Sequence, residues 1–210
     1  MVETPYSLKE YIKTHDVLKI DLAAGQNKKE DYYGIDISSD IDGIDLVYDL
    51  TMYPWPIEDN SVELINCSHY MEHIPHLDIK GILKQSDSFE EFKSNVIKSK
   101  DGFINFINEL DRILKVGGKA TITVPHYMSV RAFGDPTHTR YIGDFSFLYL
   151  NKEWRDSNKL DHYNITCDFD MKLSYHIDNE LTLKSQEVRD EAFRKDWNAI
   201  NDLIVEMTKR

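Results

Sequence analysis

Short apolar runs that each stop at a polar or glycine residue constrain this chain more than any other feature. Asp21-Leu-Ala-Ala-Gly25 closes the run that begins at Val17. Gly34-Ile-Asp36-Ile-Ser38 and Val47-Tyr-Asp49-Leu50 follow, then Cys67-Ser68-His69-Tyr-Met-Glu72-His73-Ile74. The last runs from Leu110 through Gly117-Gly118 to Pro125. Short runs rich in β-branched residues and leucine, bounded by turn formers, read as buried strands. In an open parallel sheet, ligands bind outside the carboxyl ends of the strands. The polar residues that close these runs are therefore the first place to look for a site.

The predicted strands cover residues 17–22, 32–37, 44–48, 62–67 and 119–124. A short leading helix is predicted at 6–15 and another at 88–97. Phe103, Phe106, Ile107, Leu110 and Leu114 recur at helical spacing. That pattern predicts a helix ending at Val116, with Gly117 supplying a left-handed cap. About ten residues separate the first two strands and fewer separate the next two, whereas a parallel crossover normally needs about a dozen or more. The early connections are therefore predicted to lack full helices. Residues 75–100 read as an insertion near the mouth of the site, and 126–145 as an ordered loop rich in Gly, Pro and aromatic residues. Residues 162–176 and 180–187 read as an antiparallel pair about Asp178-Asn179. Beyond them, Phe193, Trp197, Ile200, Ile204 and Met207 fall at helical spacing, which predicts an amphipathic helix to Met207. Its apolar stripe admits packing onto the same chain or a homodimer contact. The fold class is α/β: a Rossmann-like, mostly parallel sheet with shortened early connections and a C-terminal antiparallel strand pair. Residues 1–210 read as a single domain.

These segments resemble class I S-adenosylmethionine-dependent methyltransferases, the compact branch that acts on small molecules. The resemblance spans roughly residues 16 to 125. It implies S-adenosylmethionine as cofactor, with Asp21, Ala23 and Gly25 forming the first loop around its amino acid tail. Asp36 would take the ribose hydroxyls, with Ile37 beside it. Asp49 and the Leu50 backbone would approach the adenine amine. Ser68 and His69 would face the transferred methyl. Ala23 and Ala24 stand where the family more often has glycine or cysteine. Glu72-His73-Ile74 matches a run frequent in this branch, and Asp135-Pro-Thr-His138 matches a segment found after strand five in part of it.

Physical chemistry supports parts of this reading independently. A carboxylate at a strand end accepts hydrogen bonds from ribose hydroxyls or an exocyclic amine. The dinucleotide fingerprint and the lysine-bearing phosphate loop are both missing, which favours a nucleoside without phosphates. His69, His138 and Asp135 are the catalytic candidates, since an imidazole titrates near neutral pH. Each also has a bland reading: His69 packs on the nucleoside, and Asp135 with His138 braces its loop. Arg140 is suited to clamp an acidic acceptor, and Met52, Tyr53 and Trp55 either wall the adenine or pack their loop. His69, His73, His126, His138 and Asp135 admit a divalent metal such as zinc, but their spacing matches no metal motif and none is assigned.

Charge narrows the acceptor. The chain carries 25 Lys and Arg against 37 Asp and Glu, a formal charge of -12. Such a surface repels phosphate backbones, so no nucleic acid partner is expected. No apolar stretch approaches the roughly 20 residues of a membrane span. Residues 1–6 lack a basic region and an apolar core, so no signal peptide is expected. With two distant cysteines, no disulfide framework is expected, and the cytoplasm is the default compartment. The expected function is methyl transfer to a small-molecule acceptor. The alternative is a non-catalytic nucleoside-binding or interaction protein with the same fold.

Overall fold

A computed structural model describes residues 4–210; residues 1–3, part of the segment read for a signal peptide, lie outside the described residues. The chain begins with α1 (Tyr6–Thr14), then β1 (Lys19–Leu22), β2 (Tyr33–Asp36), β3 (Leu46–Val47) and β4 (Val62–Ser68). Next come α2 (Ile79–Lys84), α3 (Phe89–Lys98) and α4 (Gly102–Ile113), which leads into β5 (Leu114–Pro125). Three short helices follow: α5 (Val130–Gly134), α6 (Asp144–Leu148) and α7 (Lys152–Asn158). The chain closes with β6 (Phe169–Ile177), α8 (Asn179–Thr182), α9 (Gln186–Lys195) and β7 (Ile200–Lys209).

All seven strands form one sheet in the order β3-β2-β1-β4-β5-β7-β6. The strands from β3 to β5 pair in parallel, whereas β7 runs antiparallel between β5 and β6. The order reverses between β1 and β4, a topological switch point. A single 3-10 turn, Gly25–Asn27, stands between β1 and β2, and bends and turns join β2 to β3. The predicted lean connections are therefore present.

Strands β1 and β2 are buried along nearly their whole length, on both faces of the pleat. Ile20 and Leu22 of β1 and Tyr33 and Ile35 of β2 are buried. On α4, Phe106, Ile107, Leu110 and Ile113 are all fully buried. Burying one such side chain contributes about 1.5–3 kcal/mol. Ser88 caps α3 by accepting from Glu91 N, and Asp101 caps α4 by accepting from Phe103 N.

Two sequence expectations are corrected here. The α4 helix stops at Ile113, not Val116, and Leu114 already pairs with Val62 on β4. The next matched pair is Leu64 with Lys119, so residues 115–118 bulge out. Gly117 serves that bulge with φ +79°, instead of capping a helix.

The C-terminal third differs more. Residues 180–187 form no strand, and no single helix reaches Met207: α9 ends at Lys195 and the remainder is β7. Leu203, Val205 and Met207 are fully buried at period two, while Ile204 and Glu206 between them are partly exposed. The three- and four-residue spacing spans two separate elements, α9 and β7, and marks no single helix. The antiparallel pair is real, but its strands are β6 and β7, with α8 and α9 between them.

Candidate functional site

The carboxyl ends of β1, β2 and β4 gather most of the predicted site residues. Ala23 and Gly25 both take positive φ, +52° and +55°. For Gly25 that conformation is cheap, and a side chain added there would meet nothing within 4 Å. For Ala23 it is a strained backbone, of the kind held at ligand clamps. The turn is pinned from both sides. Ala24 N donates to Ile35 O at 3.1 Å, and Gly25 N donates to Asp36 Oδ2 at 3.0 Å.

Asp36 is buried and braces two loops at once, because its Oδ1 accepts from Ser38 N at 2.9 Å. Each carboxylate oxygen has a second acceptor site, so these bonds leave capacity for a ligand hydroxyl. Ile37 beside it is 68% exposed, an apolar face next to a buried carboxylate. Asp49 uses Oδ1 to hold Thr51, accepting from both N and Oγ1. Leu50 is buried, and its carbonyl accepts from Trp55 Nε1 at 2.9 Å. Trp55 is 1% exposed and packs edge-on against Phe106, so of its two readings the packing one holds.

Asp21 lies deeper. It is buried and accepts from Lys29 N at 2.7 Å and from Asn66 Nδ2 at 2.6 Å. Both of its oxygens thus tie the β1 turn to the neighbouring strand. Asn66 stands directly across from Asp21 in the parallel register, a partnership that strand pairing alone creates.

At the end of β4, Ser68 is exposed and His69 holds φ +54°. Its Nδ1 lies 3.3 Å from Glu72 Oε1. The adjoining Glu72 carboxylate holds the His69 pKa above its ordinary value, against the burial that lowers it. The 3-10 turn Met71–His73 buries the Glu72 side chain, yet neither of its oxygens has a hydrogen-bond partner among the described residues.

The Asp135 to Arg140 loop docks onto this turn. Thr139 N and Arg140 N both donate to Glu72 O. Asp135 is exposed and accepts from Thr137 N and Oγ1, which holds its carboxyl below the usual carboxylate range. Thr137 Oγ1 also meets His73 Nδ1 at 3.0 Å. His138 packs edge-on against His73, with ring centroids 4.7 Å apart. Its Nδ1 lies 2.9 Å from Ala132 O.

His126 follows β5 and is buried away from this cluster of rings, nearest Asp144 and Tyr127. Arg140 is also spoken for. It donates to Ile74 O, Pro75 O and Asp101, so an acidic acceptor finds its fork engaged within the protein. A cavity of about 140 Å³ opens between β3 and α2, lined by residues including Thr51, Tyr53, Ile74, Asp78 and Gly81. Thr137, Asn66 and Asp101 were not singled out from sequence. Each matters through a partner more than 35 residues away or across a strand, for which a linear pattern carries no signal.

Comparison with known proteins agrees with this layout at the level of the fold. No family model matches the chain, and no curated protein matches it in sequence. Among solved structures, an S-adenosylmethionine-dependent methyltransferase from Archaeoglobus fulgidus superposes with a TM-score of 0.57 at 18% identity. That alignment covers 96% of this chain and 91% of the other. A methyltransferase from Mesorhizobium loti gives a looser likeness, with TM-score 0.47, 11% identity and 96% of each chain covered. The chain has the fold of the class I methyltransferases.

Proposed function

We propose that this protein is an S-adenosylmethionine-dependent methyltransferase acting on a small-molecule acceptor, with residues 1–210 as one catalytic domain. The observation that carries the reading is Asp36. On a methyltransferase fold, its buried carboxylate ends β2 and grips the N–H of Gly25 in a turn whose outer side is open. Those features suit a nucleoside with a zwitterionic tail. Gly25 and Ala23 would approach the amino acid tail, and Asp36 would accept from the ribose hydroxyls. Ile37 would cover the base, and Asp49 with the Leu50 backbone would take the adenine amine. Asp21 would hold the turn from behind.

The cofactor, when bound, supplies a methyl group already activated as a sulfonium. The protein is left to align the acceptor, exclude water and handle at most one proton. Ser68 and His69, at the end of β4, are the groups proposed beside the methyl, with the His69 imidazole as proton acceptor. Asp135 and His138 are proposed to act from the adjoining loop. The acidic surface favours a small acceptor over nucleic acid.

Calorimetric titration with S-adenosylmethionine tests the proposal. Wild type is expected to bind, and Asp36→Ala to bind at least tenfold more weakly, as follows when a charged hydrogen-bond acceptor worth about 1.5–3 kcal/mol is lost. Unchanged affinity in the variant overturns the assignment of Asp36. Binding without S-adenosylhomocysteine release across a broad acceptor panel favours the non-catalytic alternative.

A further inference from the structure

The Glu72 carboxylate poses a problem that the methyl-transfer reading does not solve. It is 98% buried, being 2% exposed, and both oxygens lack a hydrogen-bond partner among the described residues. A buried carboxylate left without full pairing is costly, so such groups are normally matched by a cation. His69 reaches only one of the two oxygens, as an ion-pair contact at 3.3 Å, and Oε2 is left without any partner among the described residues. Two other imidazoles lie close by. Glu72, His73 and His138 each bring a donor atom to within 4.8 Å of the others.

The surrounding hydrogen bonds fix which nitrogen of each ring is free. Ala132 O can only accept, so His138 Nδ1 must carry the proton in their 2.9 Å contact. Asp135 as a carboxylate can only accept, so the single proton of Thr137 Oγ1 goes to Asp135 Oδ1 at 2.6 Å. Thr137 Oγ1 must then accept from His73 Nδ1. Both rings are thereby held as the Nδ1–H tautomer, and Nε2 of each keeps its lone pair. A metal-binding histidine has this arrangement: one nitrogen donates to a carbonyl or to a carboxylate-linked group, and the other is presented to the ion.

We propose that Glu72, His73 and His138 form a site for a divalent transition-metal ion, of zinc type, where the loop after β5 meets the turn after β4. Two imidazoles and one carboxylate make a three-ligand set that leaves at least one coordination position open for water or a ligand. Bonds of about 2.0–2.1 Å place donors about 3.4 Å apart in a tetrahedron. The donor atoms, now within 4.8 Å of one another, need only draw closer for one ion to bridge them. The Asp135-Pro-Thr-His138 segment thus gains a physical purpose: His138 ligates, and Asp135 orients His73 through Thr137. The site does not require S-adenosylmethionine to bind, and it gives His138 and Asp135 a role at the metal in place of one in the methyl transfer itself.

Metal binding is measured directly on tag-free, chelator-treated full-length protein. Zn²⁺ is titrated by calorimetry, and Co²⁺ by its visible d–d absorption. One ion of each is expected per chain. Glu72→Gln, which keeps side-chain shape, and His138→Ala are each expected to weaken binding at least a hundredfold. The exposed Thr137→Val touches no ion and is expected to weaken it by about 10–100-fold, as for other loss of a supporting hydrogen bond. His15→Asn, at a distant exposed histidine, controls for loose surface binding and is expected to leave affinity unchanged. Circular dichroism checks that each variant is folded, and Thr137→Val keeps the test decisive if a ligand variant is not. Failure of wild type to take up either ion at millimolar concentration overturns the site. So does one-to-one binding that survives Glu72→Gln, His138→Ala or Thr137→Val undiminished.

Discussion

At the scale of single residues, histidines in this protein differ through their neighbours. His126 is the clearest case, being 3% exposed at the end of β5. Its Nδ1 accepts from Met128 N at 3.4 Å, so the proton of the neutral ring sits on Nε2. The groups facing it are Asp144 of α6, whose Oδ1 is 4.0 Å away, Tyr127, and Tyr175 of β6. Burial lowers the His126 pKa, with Asp144 opposing, so the folded protein takes this proton less readily than the unfolded chain. The unfolded value lies near 6.5. As pH falls through that value, the unfolded state binds the proton first and stability declines. The decline ends once pH passes below the depressed folded value, and above about pH 7.5 the residue contributes nothing. Urea titrations of wild type and His126→Asn between pH 8 and pH 5 are expected to differ in slope, with wild type losing more on acidification. Parallel curves would count against a buried neutral imidazole.

At the scale of elements, β7 decides the C-terminal third. It is hydrogen-bonded on both edges, to β5 and β6, so its inward residues have no route to water. Leu203→Ala is expected to cost about 2–5 kcal/mol, the usual range for a leucine deleted from a tight core. Trp197 behaves differently because it lies in the turn between α9 and β7. It is 53% exposed and rests on Phe133, with ring centroids 5.6 Å apart. Trp197→Glu is therefore expected to change stability by no more than about 0.5 kcal/mol, as surface changes do. Thermal or urea melts of the two variants check both expectations. A large loss in Trp197→Glu would restore the buried stripe that helical spacing suggested. The homodimer proposal loses that stripe as its support. Trp197 belongs instead to an exposed aromatic group with Phe133 and Tyr141.

At the scale of the whole molecule, charge is the controlling quantity. A net charge of -12 on 210 residues repels itself, which weakens the compact state. Screening shortens the reach of that repulsion from about 30 Å at 0.01 M salt to about 8 Å at 0.15 M. Raising sodium chloride over that range is expected to raise the melting temperature by a few degrees, measured by differential scanning calorimetry. A fall would mean that attractive ion pairs, such as Arg140 with Asp101, outweigh the net repulsion. No helix among the described residues is long and apolar enough to cross a membrane. Cys67 and Cys167 are both free and buried, so no covalent staple adds to the fold.

The sequence by itself determined the parallel half of the sheet, because each buried strand there is a separate apolar run punctuated by turn residues. It also located Gly25, Asp36 and Asp49, since residues that close such runs must lie along one sheet edge. Tertiary structure alone decided the rest. Residues 200–209 satisfy both a helical and an alternating pattern loosely, and only the vacancy between β5 and β6 selects the strand. Likewise, nothing local says that Arg140 is engaged by Asp101, or that Thr137 faces His73 across 64 residues of chain. Those partnerships arise where loops from different strands meet. Periodicity reports which face of an element is buried, and it carries no information about which distant polar group waits on the other side.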